Sequence, residues 1–308
     1  MMKIFVLKKK MSLKIQAWCW LFIAPTLIFY VVFRGWPIIC SVIYSTWDWS
    51  GMTTSVKNVG LDNYKDLLKD ELFWNAFFNS IKFMLMFVPV VTVLSLFFAY
   101  ILNNEKLRFR GIYRTMYFVP VVTTSSVIGI VMIFIWSAQG PVNSLFNLLG
   151  IIKSPINWLG NSTYAMITVV LISLWKELGI YMVYWLAGLQ SVPKDVYEAA
   201  MMDGAGKGKV FFSIVLPLIL PIGGIILTLC VINALKVFDL VKTLTEGGPY
   251  YATDVIATYV YRMAFSSEIG MPRLGYASAA SLLFGIFVIL VGIIINIAKR
   301  YFDRQRVI

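Results

Sequence analysis

Residues 210–235 read VFFSIVLPLILPIGGIILTLCVINAL, which is 26 consecutive positions without a charged side chain. A helix needs about 20 apolar residues to cross the hydrocarbon core of a bilayer, which is about 30 Å thick. The stretch therefore predicts a membrane-spanning helix. Uncharged runs of similar length occupy residues 15–33, 83–104 and 274–298. The chain is thus predicted to lie largely within a membrane.

Two further apolar stretches are interrupted, and the interruptions set where the remaining spans end. Residues 115–152 carry no charge, but Gly140-Pro141 breaks the run. The apolar run over residues 164–188 contains Lys176-Glu177 and then resumes. The sequence therefore predicts an all-α polytopic membrane protein, a single domain with six transmembrane helices. Their predicted positions are about 15–43, 77–102, 113–136, 164–188, 214–240 and 274–298.

The first apolar run has an alternative interpretation as a cleaved signal peptide, because lysines precede it. The run is long and aromatic, however, and Trp36-Pro37 stands where a cleavage site would need small residues. A retained membrane helix is therefore the better interpretation of this segment.

Composition limits the function as well as the fold. Hydrophobic residues make up 59% of the 308 residues, charged residues make up 14%, and the mean hydropathy is +0.79. Histidine is absent, which removes the commonest general base and the commonest metal ligand. The three cysteines stand singly in apolar segments, so they predict neither a disulfide framework nor a metal site. We expect no catalytic residue and no metal in this chain.

The charge pattern predicts an orientation in the membrane. The net charge of +12 comes from basic residues that lie mostly in short stretches between apolar runs, which is not typical of a nucleic-acid binder. Six spans place both termini on one side. That side carries 16 of the 27 Lys and Arg residues, and the opposite side carries 7. The positive-inside rule therefore predicts that both termini are cytoplasmic.

The predicted cytoplasmic loop over residues 189–213 carries helix signals of its own in addition to connecting two spans. Residues 191–195 indicate a helix start, with Ser191 as a possible cap, and Asp203-Gly204 indicates its end. A second short helix is predicted from Lys207. We expect four small or apolar side chains of the first helix to need a partner for burial: Val196, Tyr197, Ala199 and Ala200.

A sequence signature runs through this loop. Glu198-Ala199-Ala200 is followed after three residues by Gly204, after nine more by Ile214, and after one more by Leu216-Pro217. This pattern resembles the EAA loop of the permeases of ABC importers. Other stretches resemble the carbohydrate branch of that family, in particular the oligosaccharide and glycerol-phosphate importer subunits. They are GLDNY (60–64), RTMYFVP (114–120), LAGLQSVP (186–193), VFD (237–239), LTEGGP (244–249) and GYASA (275–279).

The resemblance implies a type I ABC importer permease fold and the import of a sugar across a bacterial cytoplasmic membrane. It implies partners as well: a second homologous permease, two cytoplasmic ATPase subunits and an extracytoplasmic solute-binding protein. ATP and Mg²⁺ would be bound by the ATPase, and this chain would hold no cofactor. The residues implied to couple the loop to the ATPase are Glu198, Ala199, Ala200, Asp203, Gly204, Ile214, Leu216 and Pro217.

The alternative interpretation of the loop is an amphipathic segment that lies on the lipid surface. Its three basic and three acidic residues leave no net positive charge to attract anionic lipid, which favours docking on a protein. Residues 204–209 also look like a phosphate-binding loop. Met201 and Gly208, however, occupy the positions where that loop needs Gly and Ser or Thr. ATP must therefore be hydrolysed by another chain.

Ionisable and polar residues inside spanning helices are candidates for function, because they are costly in lipid. Span four contains Trp175, Lys176, Glu177 and Tyr181. Span five contains Asn233, Lys236 and Asp239 at steps of three, which predicts a shared helix face. The resemblance implies that the sugar site lies on these two helices, with hydrogen bonds from Asn233 and an aromatic face from Trp175. The alternative is structural, with Lys176–Glu177 and Lys236–Asp239 as interhelical or snorkelling pairs.

Two other functional classes fit the sequence less well. An ion-coupled secondary transporter would show inverted hydropathy repeats and carboxylates that bind the coupling ion. The sequence shows no repeat and one candidate carboxylate in each of two helices. A membrane-embedded enzyme needs a nucleophile–base pair or a metal cluster, which a chain without histidine supplies poorly.

Overall fold

A computed structural model describes residues 13–266 and 270–305 of the chain. The lysines at positions 3, 8, 9 and 10, which contribute to the predicted orientation, lie outside these residues. In chain order the helices are α1 (Leu13–Tyr30), α2 (Trp36–Tyr44), α3 (Asp62–Lys69), α4 (Glu71–Asn103), α5 (Arg110–Val122), α6 (Ser125–Ile135), α7 (Pro141–Leu148), α8 (Ser162–Gln190), α9 (Lys194–Met202), α10 (Lys207–Val210), α11 (Leu216–Leu235), α12 (Asp239–Leu244), α13 (Ile256–Phe265) and α14 (Leu274–Gln305).

Short elements connect these helices. Turns of π-helix at Val31–Gly35 and Phe211–Val215 join α1 to α2 and α10 to α11. The strands β1 (Trp47–Asp48) and β2 (Lys57–Asn58) form an antiparallel hairpin between α2 and α3. We call the end of the bundle that carries α9 the inner end, and the opposite end the outer end.

The described residues contain five helical stretches that are long and apolar enough to cross a membrane: Lys14–Tyr44, Glu71–Asn103, Ser162–Gln190, Lys207–Leu244 and Leu274–Arg300. The sixth predicted span, 113–136, is a broken pair instead of one straight helix, because α5 and α6 are bent by 99° relative to each other. Thr123 and Thr124 both have extended backbone, with ψ of 138° and 140°, and this interrupts the helix.

The helix α4 begins about six residues before the predicted position because Asp70 caps it. The Asp70 carboxylate accepts hydrogen bonds from the backbone N–H groups of Leu72 at 2.8 Å and Phe73 at 3.3 Å. These N–H groups have no partner within the helix, so an N-terminal carboxylate stabilises the start. The charged Glu71 thus lies within the first turn of a helix that continues into the membrane.

The core of the bundle lies where α4 packs along α8, with α5 and α11 on either side and α14 against α11 and α13. Phe73, Phe83 and Tyr181 are among its largest fully buried side chains. The helix α1 is exposed along its length, and α2 packs against α14. Exposed apolar side chains such as Phe22 and Ile294 are expected of helices that contact lipid.

The GLDNY stretch ties the outer ends of α2 and α3 together. The Asn63 amide, which is buried, donates to the carbonyl oxygens of Ser45 at 2.9 Å and Trp47 at 3.0 Å. The Tyr64 hydroxyl donates to the Ser45 hydroxyl at 2.8 Å. These bonds satisfy backbone carbonyls where α2 ends, so this stretch stabilises the fold.

A second group of polar contacts joins α4, α13 and α14 at the outer end. Asp70 accepts hydrogen bonds from the hydroxyls of Tyr259 at 2.5 Å and Tyr276 at 2.8 Å, and the buried Asp254 pairs with Arg262 at 2.5 Å. We call these five residues the outer polar cluster. Burial raises the pKa of Asp70, but the hydrogen bonds from the two tyrosines and two backbone N–H groups outweigh it and hold that pKa below its ordinary value.

Candidate functional site

A cavity of about 300 Å³ lies among α4, α8, α11, α12 and the start of α6. We call it the central cavity. Its wall combines carboxylate, ammonium, amide and hydroxyl groups with aromatic rings, so it is polar at the depth of the spanning helices. Five of the residues singled out in the sequence line it: Glu177, Tyr181, Asn233, Lys236 and Asp239.

The amide of Asn233 is oriented by a hydrogen bond across the cavity wall. Its Nδ2 donates to the Tyr181 hydroxyl at 3.2 Å, and Tyr181 is itself almost fully buried. A primary amide has two N–H donors and a carbonyl acceptor, so one donor and the carbonyl oxygen are available to a ligand. An amide held in this way can recognise a hydroxyl group, which both donates and accepts.

The predicted helix over 214–240 is broken, and the break forms part of the cavity. Instead of continuing through Asp239, α11 ends at Leu235, and its last turn is tightened by bonds from Lys236 N to Asn233 O at 3.2 Å and from Val237 N to Ala234 O at 3.3 Å. The shared helix face predicted for Asn233, Lys236 and Asp239 is therefore wrong. The three residues nevertheless line one cavity, because the chain turns around it before α12 begins.

The break between α5 and α6 lies at the same cavity. Ser125, the first residue of α6, lines it, and α6 packs against α12. Two interrupted helices thus contribute to one wall. Irregular backbone at membrane depth is tolerated where it is buried in protein or lines a polar cavity, because its N–H and C=O groups need partners. The positions of both breaks agree with that rule.

Lys176 and Glu177 form an ion pair in the middle of α8. The two side chains approach to 2.7 Å, and Lys176 is buried while Glu177 lines the cavity. Lys176 is not among the residues that line the cavity, so its ammonium group faces the carboxylate from the protein side. An unpaired charge here would be strongly unfavourable. The pair lies within one helix and is therefore neither interhelical nor snorkelling, and it leaves Glu177 facing the central cavity.

Trp175 lies apart from this cavity. Its side chain is 50% exposed on the surface of α8, and it is not among the lining residues. The aromatic part of the wall comes instead from Phe238 and from the parallel rings of Phe83 and Phe87, whose centroids are 5.6 Å apart. The substrate role of Trp175 remains a prediction.

Some lining residues were not predicted from the sequence. Ser173 lies four positions before Glu177, so helical spacing alone would have placed it on the same face of α8. Phe83 and Phe87 share one face of α4 in the same way. Ser125 gave no such signal, because its position depends on the bend between α5 and α6.

The helix α9 ends where the sequence predicted, at Asp203-Gly204. Gly204 has a φ of +76°, which is the left-handed conformation that favours glycine. The N–H of Gly204 donates to Met201 O and that of Ala205 donates to Ala200 O, both at 3.0 Å. This pair of bonds is a Schellman motif, which satisfies the last carbonyls of a helix. The predicted cap at its start is wrong: Ser191 Oγ donates to Gly188 O at 2.7 Å and so completes α8.

The two faces of α9 differ in burial. Ala200 is buried, and Val196 and Tyr197 pack against the core, so the expectation that these three residues need a partner is wrong. Tyr197 lies beside Tyr100 at the inner end of α4, and both line a small pocket with Val210 and Val215. The opposite face remains uncovered. Its exposed residues are Glu198, Ala199, Met201, Met202, Asp203 and Gly204.

The remaining signature residues connect α9 to the bundle. Ile214 and Leu216 pack against the core, and Pro217 lies in the first turn of α11, where a missing N–H is tolerated. The ring of Phe211 lies 4.5 Å from that of Tyr100 on α4. The exposed face of α9 is therefore joined through α10 and a π-helical turn to α11, whose far end carries Asn233.

Comparison with known proteins gives a consistent result. The family model described as "Binding-protein-dependent transport system inner membrane component" matches residues 73–307. The lactose transport system permease protein LacF of Rhizobium radiobacter is 32% identical over 289 residues, which cover 93% of this chain and 94% of LacF. The trehalose/maltose transport system permease protein MalF of Thermococcus litoralis is 38% identical over 215 residues, which cover 69% of this chain and 72% of MalF.

Solved structures resemble the fold. A crystal structure of a bacterial ABC transporter involved in the import of the acidic polysaccharide alginate matches with a TM-score of 0.81 at 21% identity, over 94% of this chain and 96% of the other. The alginate transporter in complex with a pentasaccharide-bound periplasmic protein gives 0.79 at 22% identity, over 95% and 96% of the two chains. The predicted all-α membrane fold of an importer permease is confirmed.

Proposed function

The chain belongs to the family of binding-protein-dependent transport system inner membrane components, as its signature predicted, and from that premise we propose that it is the permease subunit of a sugar importer. It carries an oligosaccharide or a sugar derivative into the cytoplasm, and separate ATPase subunits supply the energy. Relatives named for the transport of lactose and of trehalose or maltose support a sugar as substrate.

The observation that carries this proposal is the composition of the central cavity. Sugars offer hydroxyl groups and apolar C–H faces, and the cavity offers the Asn233 amide beside the rings of Phe83, Phe87 and Phe238. Lys176 neutralises Glu177, and Lys236 and Asp239 have opposite charges, so the cavity is balanced in charge. A balanced polar cavity with aromatic walls favours a neutral sugar over an ion.

The exposed face of α9 is proposed as the contact with the ATPase. Glu198 and Asp203 can pair with basic groups, Ala199 permits close approach, and Met202, which is 88% exposed, can enter an apolar pocket. The assembly then contains two permeases, two ATPase subunits that bind ATP and Mg²⁺, and an extracytoplasmic solute-binding protein. Closure of the ATPases would displace α9 and, through α10, the helix α11.

The proposed orientation places both termini, the α9 face and the Lys106 region in the cytoplasm of a bacterium. Single-cysteine variants Ala205→Cys and Tyr250→Cys, made in a chain without the three native cysteines, test it. A membrane-impermeant thiol reagent added to intact cells should label position 250, which is 94% exposed, and not position 205. Labelling at position 205 from outside would reverse the orientation.

The substrate role is tested by Asn233→Leu in the assembled importer. Loss of the amide leaves a ligand hydroxyl without a partner, and we expect uptake of labelled sugar to fall at least about fivefold, because an unmatched buried polar group costs about 1–3 kcal/mol. Asn296→Leu makes the same change on the exposed face of α14 and should leave uptake unchanged. Trp175→Leu is the third variant, and it tests whether the sugar binds at the exposed surface of α8 instead.

The three arms separate the possible locations of the sugar. Basal ATP hydrolysis and recovery of the ATPase should be normal in all of them. Loss of uptake in Trp175→Leu with normal uptake in Asn233→Leu would move the sugar from the central cavity to the exposed surface of α8. Normal uptake kinetics in both variants would assign the sugar contacts to the partner permease.

A further inference from the structure

A second cavity, of about 500 Å³, opens at the inner end between α8, α11 and α14. We call it the inner cleft. Its volume lies within the range of roughly 300–1,000 Å³ that is typical of small-molecule sites. The wall is formed mainly by Leu220, Leu227, Ile294 and Ile295, and it is separate from the residues of the central cavity.

Two polar side chains of this wall, Thr92 and Trp185, have a buried polar atom without a hydrogen-bond partner among the described residues. Trp185 lines the cleft and is 3% exposed, and its indole Nε1 has no hydrogen-bond acceptor among the residues that the structure describes. An indole N–H can only donate, and a buried one usually finds an acceptor, because no water is present in lipid to replace it. This N–H is closed off from the cleft, so the contacts that the cleft offers a ligand are its apolar wall and the charge of Lys299.

The charge in the cleft lies at the depth of the membrane interface. Lys299 is the charged residue among those that line it, and the apolar span of α14 ends one residue later, at Arg300. Trp185 lies five residues before the end of α8 at Gln190, or about 7.5 Å along the helix axis. Both groups are thus near the level where the headgroups and ester bonds of a phospholipid lie.

We propose that the inner cleft binds an anionic phospholipid. Lys299 pairs with the headgroup phosphate, and an acyl chain lies along Leu220, Leu227 and Ile294. Basic pockets between spanning helices on the cytoplasmic side suit such headgroups. A spanning helix of another subunit would fill the apolar wall but would bring no phosphate to Lys299.

Glycines keep the cleft open, and this gives a substitution that fills it. A Cβ atom at Gly224 would lie 3.1 Å from the side chain of Lys299, so a larger residue there would occupy the space beside the proposed headgroup contact. A Cβ atom at Gly292 on α14 would have no neighbouring atom within 4 Å, so the same substitution there is harmless by comparison. Lys299→Gln is matched by Arg300→Gln, which removes the same charge from an exposed neighbour.

The experiment uses the whole importer, purified in detergent and reconstituted in phosphatidylcholine vesicles with and without phosphatidylglycerol. Phospholipid retained by the purified complex is measured by mass spectrometry, and sugar-stimulated ATP hydrolysis is measured in the vesicles. We expect wild type, Arg300→Gln and Gly292→Leu to retain phosphatidylglycerol. Lys299→Gln should retain it about fivefold more weakly, as expected for one charge near the membrane surface, and Gly224→Leu should lose it.

Two results would overturn the proposal. Equal retention of phosphatidylglycerol in Lys299→Gln and Arg300→Gln would show that the lipid does not depend on the cleft. Loss of the second permease from purified Gly224→Leu, with normal lipid retention in Lys299→Gln, would show that another protein covers the cleft. Lys299→Gln keeps the test decisive where Gly224→Leu fails to assemble, because it adds no bulk.

Discussion

The charged side chains at the two ends of the bundle differ in whether they have partners within this chain. At the outer end, the Asp70 carboxylate receives two tyrosine hydroxyls and two backbone N–H groups, and Asp254 is paired with Arg262. At the inner end, Glu198 is exposed, and Met202 beside it is 88% exposed. Both carboxylates of the outer polar cluster are bonded within this chain, although Arg262 Nε has no partner among the described residues, whereas α9 leaves charged and apolar side chains uncovered.

This difference separates two kinds of residue that look alike in the sequence. A half-buried carboxylate that accepts four hydrogen bonds, such as Asp70, stabilises the fold of the permease itself. An exposed carboxylate such as Glu198, on a helix whose other face is already packed, contributes little to folding. Variants at the outer end should therefore lower the stability of the permease and leave its coupling to the ATPase intact. Variants at the inner end should weaken that coupling and leave the stability unchanged.

The largest effect is expected from Gly204→Val. A β-branched residue resists the φ of +76° by about 1–3 kcal/mol, so the stop of α9 would shift and its exposed face would turn away from the ATPase. Sugar uptake and binding-protein-stimulated ATP hydrolysis should both be lost, while the permease pair stays in the membrane. Recovery of the ATPase with the affinity-purified permease measures the contact directly.

The control for this variant is Gly206→Val. Gly206 has a φ of −65°, which any residue adopts, and no atom lies within 4 Å of an added Cβ. It lies two residues from Gly204 in the same exposed segment and should behave as wild type. Retention of both uptake and ATPase association by Gly204→Val would remove the coupling role of α9.

Gly204 also indicates which parts of the structure the sequence could predict. Uncharged runs predicted the spans because hydrophobic length is a local property, and Asp203-Gly204 predicted the stop of α9 because the left-handed turn is local too. The break after Leu235 has neither proline nor glycine, so it depends on packing of α12 against α6. The burial of Val196 and Tyr197 depends likewise on how α9 folds back onto the bundle.

The same distinction applies to the candidate site. Glu177, Tyr181, Asn233, Lys236 and Asp239 were selected because polar residues are costly in lipid, and this argument needs no tertiary structure. It could not separate the lining residue Glu177 from its buried partner Lys176 one position earlier. Nor could it exclude Trp175 from the central cavity, since the direction of each side chain is fixed by the packing of α8 against α4.

The second effect, on stability, is expected from Asp70→Asn at the outer end. The amide accepts more weakly than the carboxylate, and its NH₂ group faces two tyrosine hydroxyls and the start of α4, so we expect a loss of about 1.5–3 kcal/mol. The midpoint of thermal unfolding of the purified complex should fall, while recovery of the ATPase at low temperature stays normal. Asp66→Asn, on the exposed side of α3, is the matched control. Equal midpoints for the two variants would mean that the outer polar cluster contributes no net stability.

A smaller effect is expected from Glu198→Gln at the inner end. Removing the charge weakens one charge-assisted contact with the ATPase by about 1.5 kcal/mol, or roughly tenfold in affinity, and leaves the unfolding midpoint unchanged. Titration of the purified permease pair with the ATPase measures this affinity. Glu246→Gln, which changes an exposed glutamate at the outer end, should leave it unaltered. A lower unfolding midpoint in Glu198→Gln would contradict the division between the two ends.

The smallest effect concerns pH, and it appears only in acid. Hydrogen bonds to Asp70 outweigh burial and lower its pKa, so the ionised form is stabilised in the folded protein. This contribution is fully present above the unfolded pKa of about 3.9 and is lost as the pH falls through the lower folded value. The difference in unfolding midpoint between wild type and Asp70→Asn should therefore be constant from about pH 8 to 5 and shrink below about pH 4.

Groups elsewhere titrate equally in both proteins, so they cancel from the difference. A difference that shrinks already between neutral pH and about pH 6 would mean that Asp70 is not held as a carboxylate by Tyr259 and Tyr276.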